Sequence, residues 1–284
     1  MSKNAVWMVL VLQGVLAGTV VHAEEPVASG PFRHAHAHND YYHKRPLLDA
    51  LDHGVNSVEA DIYLVDGELL VGHEKHELRS ERSLRKLYLE PLAERVKANG
   101  GYVQQAKTPF YLFIDIKNNA DATRKVLGQL LFEYKSMVGK GSGKDEARPA
   151  VTVVISGAAP RRGIVIDGVR LAGADGRLAD LDSTASADAM PVISDHWGLH
   201  FSWLGFNKLP ADQHERLREA VKKAHDSGRI IRFWATRDSE HLWGTLLDNG
   251  VDLINTDDLE RLSKFLRSRE NAAGPEAADS LNAD

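Results

Sequence analysis

Short, strongly apolar runs alternate along this chain with longer segments whose apolar residues recur at helical spacing. Runs of the first kind occupy residues 109–116, 150–155 and 230–235, and segments of the second kind occupy residues 120–137 and 211–227. A short run without polar alternation predicts a strand buried on both faces, and such strands belong to parallel sheets with helical crossovers. About eight strand–helix units over this length predict an α/β fold, a single TIM-type (β/α)8 barrel with irregular parts.

The same patterns place the remaining elements. Further strands are expected at 31–38, 55–64, 68–72 and 251–255, and further helices at 45–53 and 84–97. In the middle of the chain, residues 164–182 are expected to hold one strand, and the aromatic segment 190–206 is expected to be irregular. The tail 269–284 is rich in Ala, Asn, Glu and Ser and lacks apolar periodicity, which predicts disorder. The barrel domain is therefore expected at residues 30–268.

Residues 1–23 have the composition of a secretory signal peptide. Lys3 precedes the apolar stretch 5–21, and the small residues Val21 and Ala23 occupy the positions that a signal peptidase reads. A retained membrane anchor is the alternative, but the polar break at Gln13 favours cleavage. We expect a secreted or periplasmic protein with no transmembrane helix in the mature chain.

Charge and cysteine content narrow the possible partners. The chain has no cysteine, which excludes disulfides and a lipoprotein anchor, and its formal net charge is −5. Because no basic run stands out, nucleic acid is not an expected partner.

The segment 58–62 carries two acids within one predicted strand. Glu59 and Asp61 are two residues apart, so both carboxylates project from the same face of that strand. Two carboxylates that lose hydration together need a positive charge nearby or a shared proton. A divalent cation satisfies this need, and oxygen ligands suit Mg²⁺ or Ca²⁺ better than Zn²⁺. A solvated strand end with an Arg or Lys partner is the other interpretation.

A second strand repeats this arrangement near its carboxyl end, where barrel enzymes place their active-site groups. Asp115 and Lys117 share a face there, so Asp115 can complete a three-carboxylate metal site and Lys117 can contact a phosphate. A simple ion pair between these two residues is the alternative. His38 and His73 also follow predicted strands, and two imidazoles beside a phosphodiester can serve as base or nucleophile and as general acid.

The order of these motifs resembles that of a known superfamily. The chain contains His38, then Glu59-x-Asp61, then Gly72-His73, then Asp115-x-Lys117, and a late stretch at residues 254–257. This set resembles the glycerophosphodiester phosphodiesterase and phospholipase-C-like superfamily. It is most similar to the branch with a His-Asn-Asp-Tyr motif, here residues 38–41, which includes the fungal altered-inheritance-of-mitochondria proteins.

The resemblance implies a barrel that holds one divalent cation, Mg²⁺ or Ca²⁺, through Glu59, Asp61 and Asp115. It also implies His38 and His73 as the catalytic pair. The substrate it implies is a small phosphodiester or a phospholipid headgroup, with contacts from Lys117, Asn39 and Trp234.

One departure from this pattern concerns the residue after the first histidine. The glycerophosphodiester enzymes usually have Arg-Gly there, whereas this chain has Asn39-Asp40. Lys44 or Arg45 could supply the missing charge.

Two other functions fit parts of the sequence. An H-x-H motif, here His36 and His38, also begins many zinc-dependent barrel hydrolases, which would draw further ligands from His196 and His200. Alternatively, the chain is a non-catalytic exported binding protein with a surface metal-binding tract made of His34, His36, His38 and His43.

Overall fold

Ten strands form the core of the structure, a computed structural model that describes residues 31–105, 107–141, 148–158 and 161–273. The strands are β1 (Phe32–Ala37), β2 (Val55–Val65), β3 (Glu68–Val71), β4 (Phe110–Ile116), β5 (Val151–Gly157), β6 (Ile164–Ile166), β7 (Val169–Gly176), β8 (Val192–His196), β9 (Ile230–Trp234) and β10 (Leu253–Thr256). All except β3 and β6 pair in parallel, in the order β1-β10-β9-β8-β7-β5-β4-β2. Because β1 also pairs with β2, the eight parallel strands close into a barrel. The predicted (β/α)8 fold is confirmed.

Helices cover the outside of this barrel. They are α1 (Leu48–Asp52), α2 (Glu90–Ala98), α3 (Ala120–Glu133), α4 (Lys135–Val138), α5 (Trp197–His200), α6 (Ala211–Asp226), α7 (Glu240–Asp248) and α8 (Leu259–Ala273). The main apolar core lies between strands and helices, as in other barrels of this class. No helix in the described part of the chain is long and apolar enough to cross a membrane.

The interior of the barrel contains a second, smaller apolar cluster. Its members are Tyr111, Phe113, Val154, Val192 and Leu253. The inward-facing positions nearer the carboxyl ends of the strands are largely polar, and they include His36, Glu59 and Arg232, all buried. A buried polar layer needs partners for its charges, so the carboxyl end is where function is to be sought.

Several boundaries differ from those that the sequence predicts. Residues 164–182 hold two strands, because β6 and β7 form an antiparallel hairpin. Residues 190–206 hold β8 and α5 rather than irregular structure alone. Helix α8 continues to Ala273, five residues past the expected domain boundary, since Arg269 pairs with Asp248 at its end. The predicted signal peptide and residues 274–284 lie outside the described residues.

Candidate active site

Three carboxylates meet at the carboxyl end of two neighbouring strands. Glu59 and Asp61 project from β2, and the parallel register pairs Asp61 with Asp115 on β4. One oxygen of each carboxylate lies within 4.8 Å of the others. Glu59 is 6% exposed and Asp61 is 1% exposed, so little water reaches these two carboxylates. Parallel pairing of two acid-bearing strands thus forms a compact cluster of negative charge.

Each of the three carboxylates keeps a buried oxygen that accepts no hydrogen bond from a described residue. These atoms are Glu59 Oε2, Asp61 Oδ1 and Asp115 Oδ1. The nearest cation is Lys117, whose Nζ lies 2.9 Å from Asp61 Oδ2 and 3.3 Å from Asp115 Oδ1. The three carboxylates outnumber Lys117 and the buried Arg232, whose charge acts on Glu59, so the cluster keeps negative charge that a divalent cation would neutralise.

The surroundings of Asp115 disfavour its ionised form. Burial raises the pKa of Asp115 to about 6; Lys117 opposes the rise, whereas the charges of Asp61 and Glu59 add to it. Oxygen-only donors with unbonded lone pairs fit a hard cation such as Mg²⁺ or Ca²⁺. The three carboxylates therefore form a possible metal site whose donor set suits such an ion.

His73 follows β3 and is held against the carboxylates by one ring nitrogen. Its Nδ1 lies 2.9 Å from Asp61 Oδ2 and 3.2 Å from the hydroxyl of Tyr41. Tyr41 donates its hydroxyl hydrogen to Asp61 Oδ2, 2.7 Å away, and that hydroxyl is also 2.5 Å from Asn39 Oδ1. Because an ionised Asp61 can only accept, His73 carries a hydrogen on Nδ1. Its Nε2 is then left for other partners, on a side chain that is 45% exposed.

His38 follows β1 and is held in the same manner by a different acid. Its Nδ1 lies 2.9 Å from Asp257 Oδ1, and its Nε2 lies 3.8 Å from Glu59 Oε2. Burial disfavours the charged ring, but the hydrogen bond to Asp257 and the charge of Glu59 outweigh it and raise the pKa of His38. Two imidazoles, each fixed through Nδ1 by a carboxylate, therefore flank the cluster.

His36 lies deeper in the barrel and has no nitrogen to spare. Its Nδ1 lies 2.7 Å from Ser57 Oγ, and its Nε2 accepts a short hydrogen bond from Nη1 of Arg232. Burial, with the charge of Arg232, lowers the pKa of His36 to about 3, so this ring stays neutral. Burial alone would raise the pKa of Glu59, but the charges of Arg232 and His38 lower it below its usual range. The buried Arg232 thus helps to keep Glu59 ionised.

A glycine on β5 makes room for the cluster. Gly157 has a φ of +77°, and a Cβ at this position would lie 2.2 Å from Asp115 Oδ1 and 2.6 Å from the carbonyl oxygen of Ile116. Only glycine adopts this conformation without strain and also leaves the space that Asp115 occupies.

Comparison with known proteins agrees with this geometry. The AIM6-like phosphodiesterase domain matches residues 31–169, and the glycerophosphoryl diester phosphodiesterase family matches residues 231–260. The altered inheritance of mitochondria protein 6 homolog of Arthroderma benhamiae is 30% identical over 258 residues, which cover 79% of this chain and 81% of that protein. This chain belongs to the AIM6-like phosphodiesterase family. The superfamily that the motif order predicts is confirmed.

Other proteins match this AIM6-like chain over similar shares of its length. Altered inheritance of mitochondria protein 6 of Eremothecium gossypii is 30% identical, with 81% of this chain and 68% of the relative covered. Among solved structures, a glycerophosphodiester phosphodiesterase from Parabacteroides distasonis has a TM-score of 0.48 at 16% identity, covering 84% of this chain and 99% of that one. A calcium-dependent phosphoinositol-specific phospholipase C from a Pseudomonas species also scores 0.48, at 12% identity, covering 82% and 92%.

The AIM6-like site brings together most of the residues that the sequence singles out. The carboxylates, Lys117 and His73 are in contact, and His38 approaches Glu59. Asn39 contacts His38 through its amide nitrogen, 2.9 Å from Nδ1. Trp234, at the end of β9, packs edge-on against His196 with ring centroids 4.6 Å apart.

The zinc-type arrangement does not form among the described residues. Both nitrogens of His36 are engaged, and His200 lies 3.0 Å from Asp195 rather than near His38. The three-carboxylate cluster is the one potential metal site that the described part of the AIM6-like chain contains.

Four residues of the site had no assigned role in the sequence. Tyr41 and Asp257 lie inside motifs that support the resemblance, so the sequence indicated that they belong to the site. It did not indicate which residues they contact. Arg232 lies in the predicted strand 230–235, but its contact with His36 joins residues 196 apart in sequence, and Gly157 carries no sequence signal of its contact with Asp115.

Proposed function

We propose that this chain is an exported, metal-dependent phosphodiesterase that cleaves glycerophosphodiester or phospholipid-type P–O bonds. One observation carries the proposal: three carboxylates, each with a buried oxygen lacking a hydrogen bond, lie between two imidazoles held by acids. Residues 1–23, with the composition of a signal peptide, support export. The family's description as a phosphodiesterase domain supports the reaction class.

Glu59, Asp61 and Asp115 would hold the cation, whose chemical contribution is to neutralise and polarise the phosphodiester oxygens. Lys117 adds a second positive charge at the same place, so a dianionic transition state would be stabilised there. Water is restricted around the buried carboxylates, which strengthens these electrostatic interactions.

The two histidines then divide the proton transfers. In our proposal His73 Nε2 accepts the proton of the attacking hydroxyl, which belongs to water or to the substrate itself. The attacking oxygen forms a bond to phosphorus while the bond from phosphorus to the leaving oxygen breaks. His38, whose pKa is raised by Asp257 and Glu59, delivers a proton from Nε2 to that leaving oxygen.

The test is a panel of glycerophosphodiesters, lysophospholipids and phosphoinositides, assayed with Mg²⁺, Ca²⁺ or EDTA and followed by phosphorus NMR. We expect cleavage that EDTA abolishes, and losses of at least 100-fold in His38→Ala and His73→Ala, the usual weight of a general acid or base. The exposed His214 offers a matched control, and His214→Ala should retain full activity.

Three outcomes would contradict the proposal. Activity that survives both EDTA and Glu59→Gln would exclude a metal mechanism. Tightly held zinc that neither Mg²⁺ nor Ca²⁺ can replace would indicate the H-x-H class of hydrolase. Ligand binding without turnover, unchanged in His38→Ala and His73→Ala, would indicate a binding protein.

A further inference from the structure

Asp40 is the residue of the motif at positions 38–41 whose side chain forms no bond to the candidate active site. That side chain is fully buried, and its hydrogen bonds to described residues go to Leu47 and Tyr88 instead. Its other oxygen, Oδ1, is buried without a donor among the described residues. A carboxyl group in such surroundings is unfavourable for stability, and proteins keep groups of this kind mainly where function requires them.

The buried carboxyl group of Asp40 connects three parts of the chain. Its Oδ2 accepts a hydrogen bond from the backbone N–H of Leu47, 2.6 Å away, and one from the hydroxyl of Tyr88, 2.9 Å away. Tyr88 is also fully buried and lies in a π-helical turn, Arg85–Leu89, directly before α2. Turns of this kind are rare and occur frequently at functional sites. Asp40 therefore fastens the loop that follows β1 both to the far end of that loop and to the start of α2.

The far end of this loop has an unusual backbone conformation. Leu47 has a φ of +64° and a ψ of −50°, a region that residues other than glycine rarely adopt. Strained conformations of this kind persist only where the surroundings hold them in place. At Leu47 those surroundings include a fully buried side chain and the hydrogen bond that its N–H donates to Asp40. The carboxyl group thus fixes the path of residues 40–47, and with it the positions of the two residues beside Asp40.

The residue before Asp40 contacts the acid that holds the first imidazole. Asn39 donates a hydrogen bond to Asp257, whose Oδ1 lies 2.9 Å from Nδ1 of His38. Because the Asp257 side chain is 68% exposed, it depends on such contacts to keep one orientation. A shift of the backbone at Asp40 would move Asn39 and so loosen the acid that holds His38.

The residue after Asp40 contacts the acid that holds the second imidazole. Tyr41 donates its hydroxyl hydrogen to Asp61 Oδ2, 2.7 Å away, and the same carboxylate oxygen lies 2.9 Å from Nδ1 of His73. Tyr41 is 2% exposed, so the backbone that bears it sets the direction of its side chain. Through its two neighbours, Asp40 therefore acts on both pairs of acid and imidazole.

We propose that Asp40 is a positioning residue that keeps both imidazoles of the AIM6-like site in place for proton transfer. This role rests on the proposed function, because it takes His38 and His73 to be the groups that transfer the protons. It requires an oxygen that accepts hydrogen bonds from Leu47 and Tyr88, whereas a negative charge on that oxygen is not required. This requirement distinguishes Asp40 from the carboxylates that would bind the cation.

The test compares two substitutions of nearly equal size in steady-state kinetics of the full chain at pH 8. Asp40→Asn keeps an acceptor oxygen, and Asp40→Leu does not. We expect kcat of Asp40→Leu to fall at least about tenfold with KM changed by less than about twofold, because misplaced imidazoles weaken transition-state stabilisation rather than substrate binding. Asp40→Asn should retain kcat to within about threefold, since its oxygen can still accept both hydrogen bonds.

Spectra of the histidine side chains give a measurement that needs no turnover. Two-bond proton–nitrogen correlation spectra in EDTA report the tautomer and hydrogen bonding of each ring, and His38→Ala and His73→Ala assign the two signals. Asp40→Leu should move both signals, and Asp40→Asn should leave them close to those of the wild type. If the wild type cleaves no phosphodiester, the proposed function fails, and these spectra still decide whether Asp40 positions the rings.

Val251→Ala is the matched control for a loss of stability alone. Val251 is 1% exposed and precedes β10 at the opposite end of the barrel, so this variant should keep the kcat and the histidine signals of the wild type. Tyr88→Phe removes one of the two donors to Asp40 and should show the same changes at smaller size, which decides the matter should Asp40→Leu unfold in a thermal scan. The proposal fails if Asp40→Leu matches the wild type in kcat and spectra, if Asp40→Asn loses as much as Asp40→Leu, or if the loss lies in KM.

Discussion

Replacing Asp115 with Asn should stabilise the metal-free protein and weaken its response to cations. The reason is the cluster itself, in which three carboxylates face one ammonium. In the absence of a cation the charge on Asp115 is unfavourable, and Asn removes that charge while keeping the shape of the side chain. In the presence of a cation the same charge becomes a ligand, so its removal has the opposite effect.

The magnitude follows from the pKa of Asp115, which rises from 3.8 to about 6 on folding. A carboxyl whose pKa is raised by folding holds its proton more tightly in the native state. The free energy of unfolding therefore falls as pH rises from about 4 to about 6, and it stays lower above that range. A shift of about two units corresponds to about 3 kcal/mol, and this is the upper value for the gain in Asp115→Asn at pH 8.

Denaturant unfolding followed by the fluorescence of Trp197, Trp203, Trp234 and Trp243 measures both effects. In EDTA at pH 8 the variant should be more stable than the wild type, and the two should converge below pH 4. Saturating Mg²⁺ or Ca²⁺, at about 100 times the Kd, should add about 2.7 kcal/mol to the wild type and less to the variant. Asp212→Asn, at an exposed carboxylate of α6, should change stability by less than about 0.5 kcal/mol in either condition.

The reasoning is refuted if Asp115→Asn is less stable than the wild type in EDTA at pH 8. It is also refuted if the cation stabilises both proteins equally, since Asp115 would then contribute nothing to a metal site.

Three further substitutions test other parts of the structure. Gly157→Ala should lower the free energy of unfolding by about 2–4 kcal/mol, because its Cβ meets Asp115 Oδ1 at a positive φ, and a cation titration should show weakened binding. Tyr41→Phe should cost about 1 kcal/mol in denaturant unfolding, and steady-state kinetics should show a fall in kcat with little change in KM, because the hydroxyl contacts Asp61 and His73. Burial raises the pKa of Asp40 to about 7, so the free energy of unfolding of the wild type should fall by up to about 4 kcal/mol as the pH rises from about 4 to 7. Asp40→Asn should lack this fall, and unfolding at several pH values measures the difference.

The sequence predicted the barrel because most of its strands are buried on both faces and therefore consist mainly of apolar residues. It failed at β7 and β8, which have few apolar residues on the inner face. Strand β8 carries Ser194 and His196 on the inner face, and β7 carries Asp175 between Ala174 and Gly176, so neither has the apolar pattern of a buried strand. Polar and small residues on the inner face of these two strands therefore made them difficult to predict from the sequence.

The residues of the proposed metal site could be predicted from the sequence because strand geometry determines which side chains share a face. A period of two places Glu59 and Asp61 on one face, and parallel pairing of neighbouring strands brings Asp115 beside them. The partner of His38 was not accessible, since Asp257 lies 219 residues away and contacts it only because β10 closes against β1. Such contacts depend on the register at barrel closure, which local pattern does not encode.

Asn39, which stands where the glycerophosphodiester enzymes usually have an arginine, has a definite structural role. Asn39 adopts a left-handed backbone conformation with φ 49°, and its side chain contacts His38 and the hydroxyl of Tyr41 rather than open solvent. Arg45 does not replace the missing arginine, because its guanidinium is bound by Asp49 and Asp52.

Arg232 does not replace it either, since that residue is 3% exposed and bonded to His36 below the carboxylates. Lys117 is then the cation within the described site that both borders the carboxylates and remains partly exposed, at 23% of its side chain. With an arginine, phosphate recognition would have a fixed bidentate fork; with Lys117 it has a single point charge. A site of this kind would orient the phosphate less strictly and would rely more on the proposed divalent cation, which accords with a cluster in which three carboxylates face one ammonium.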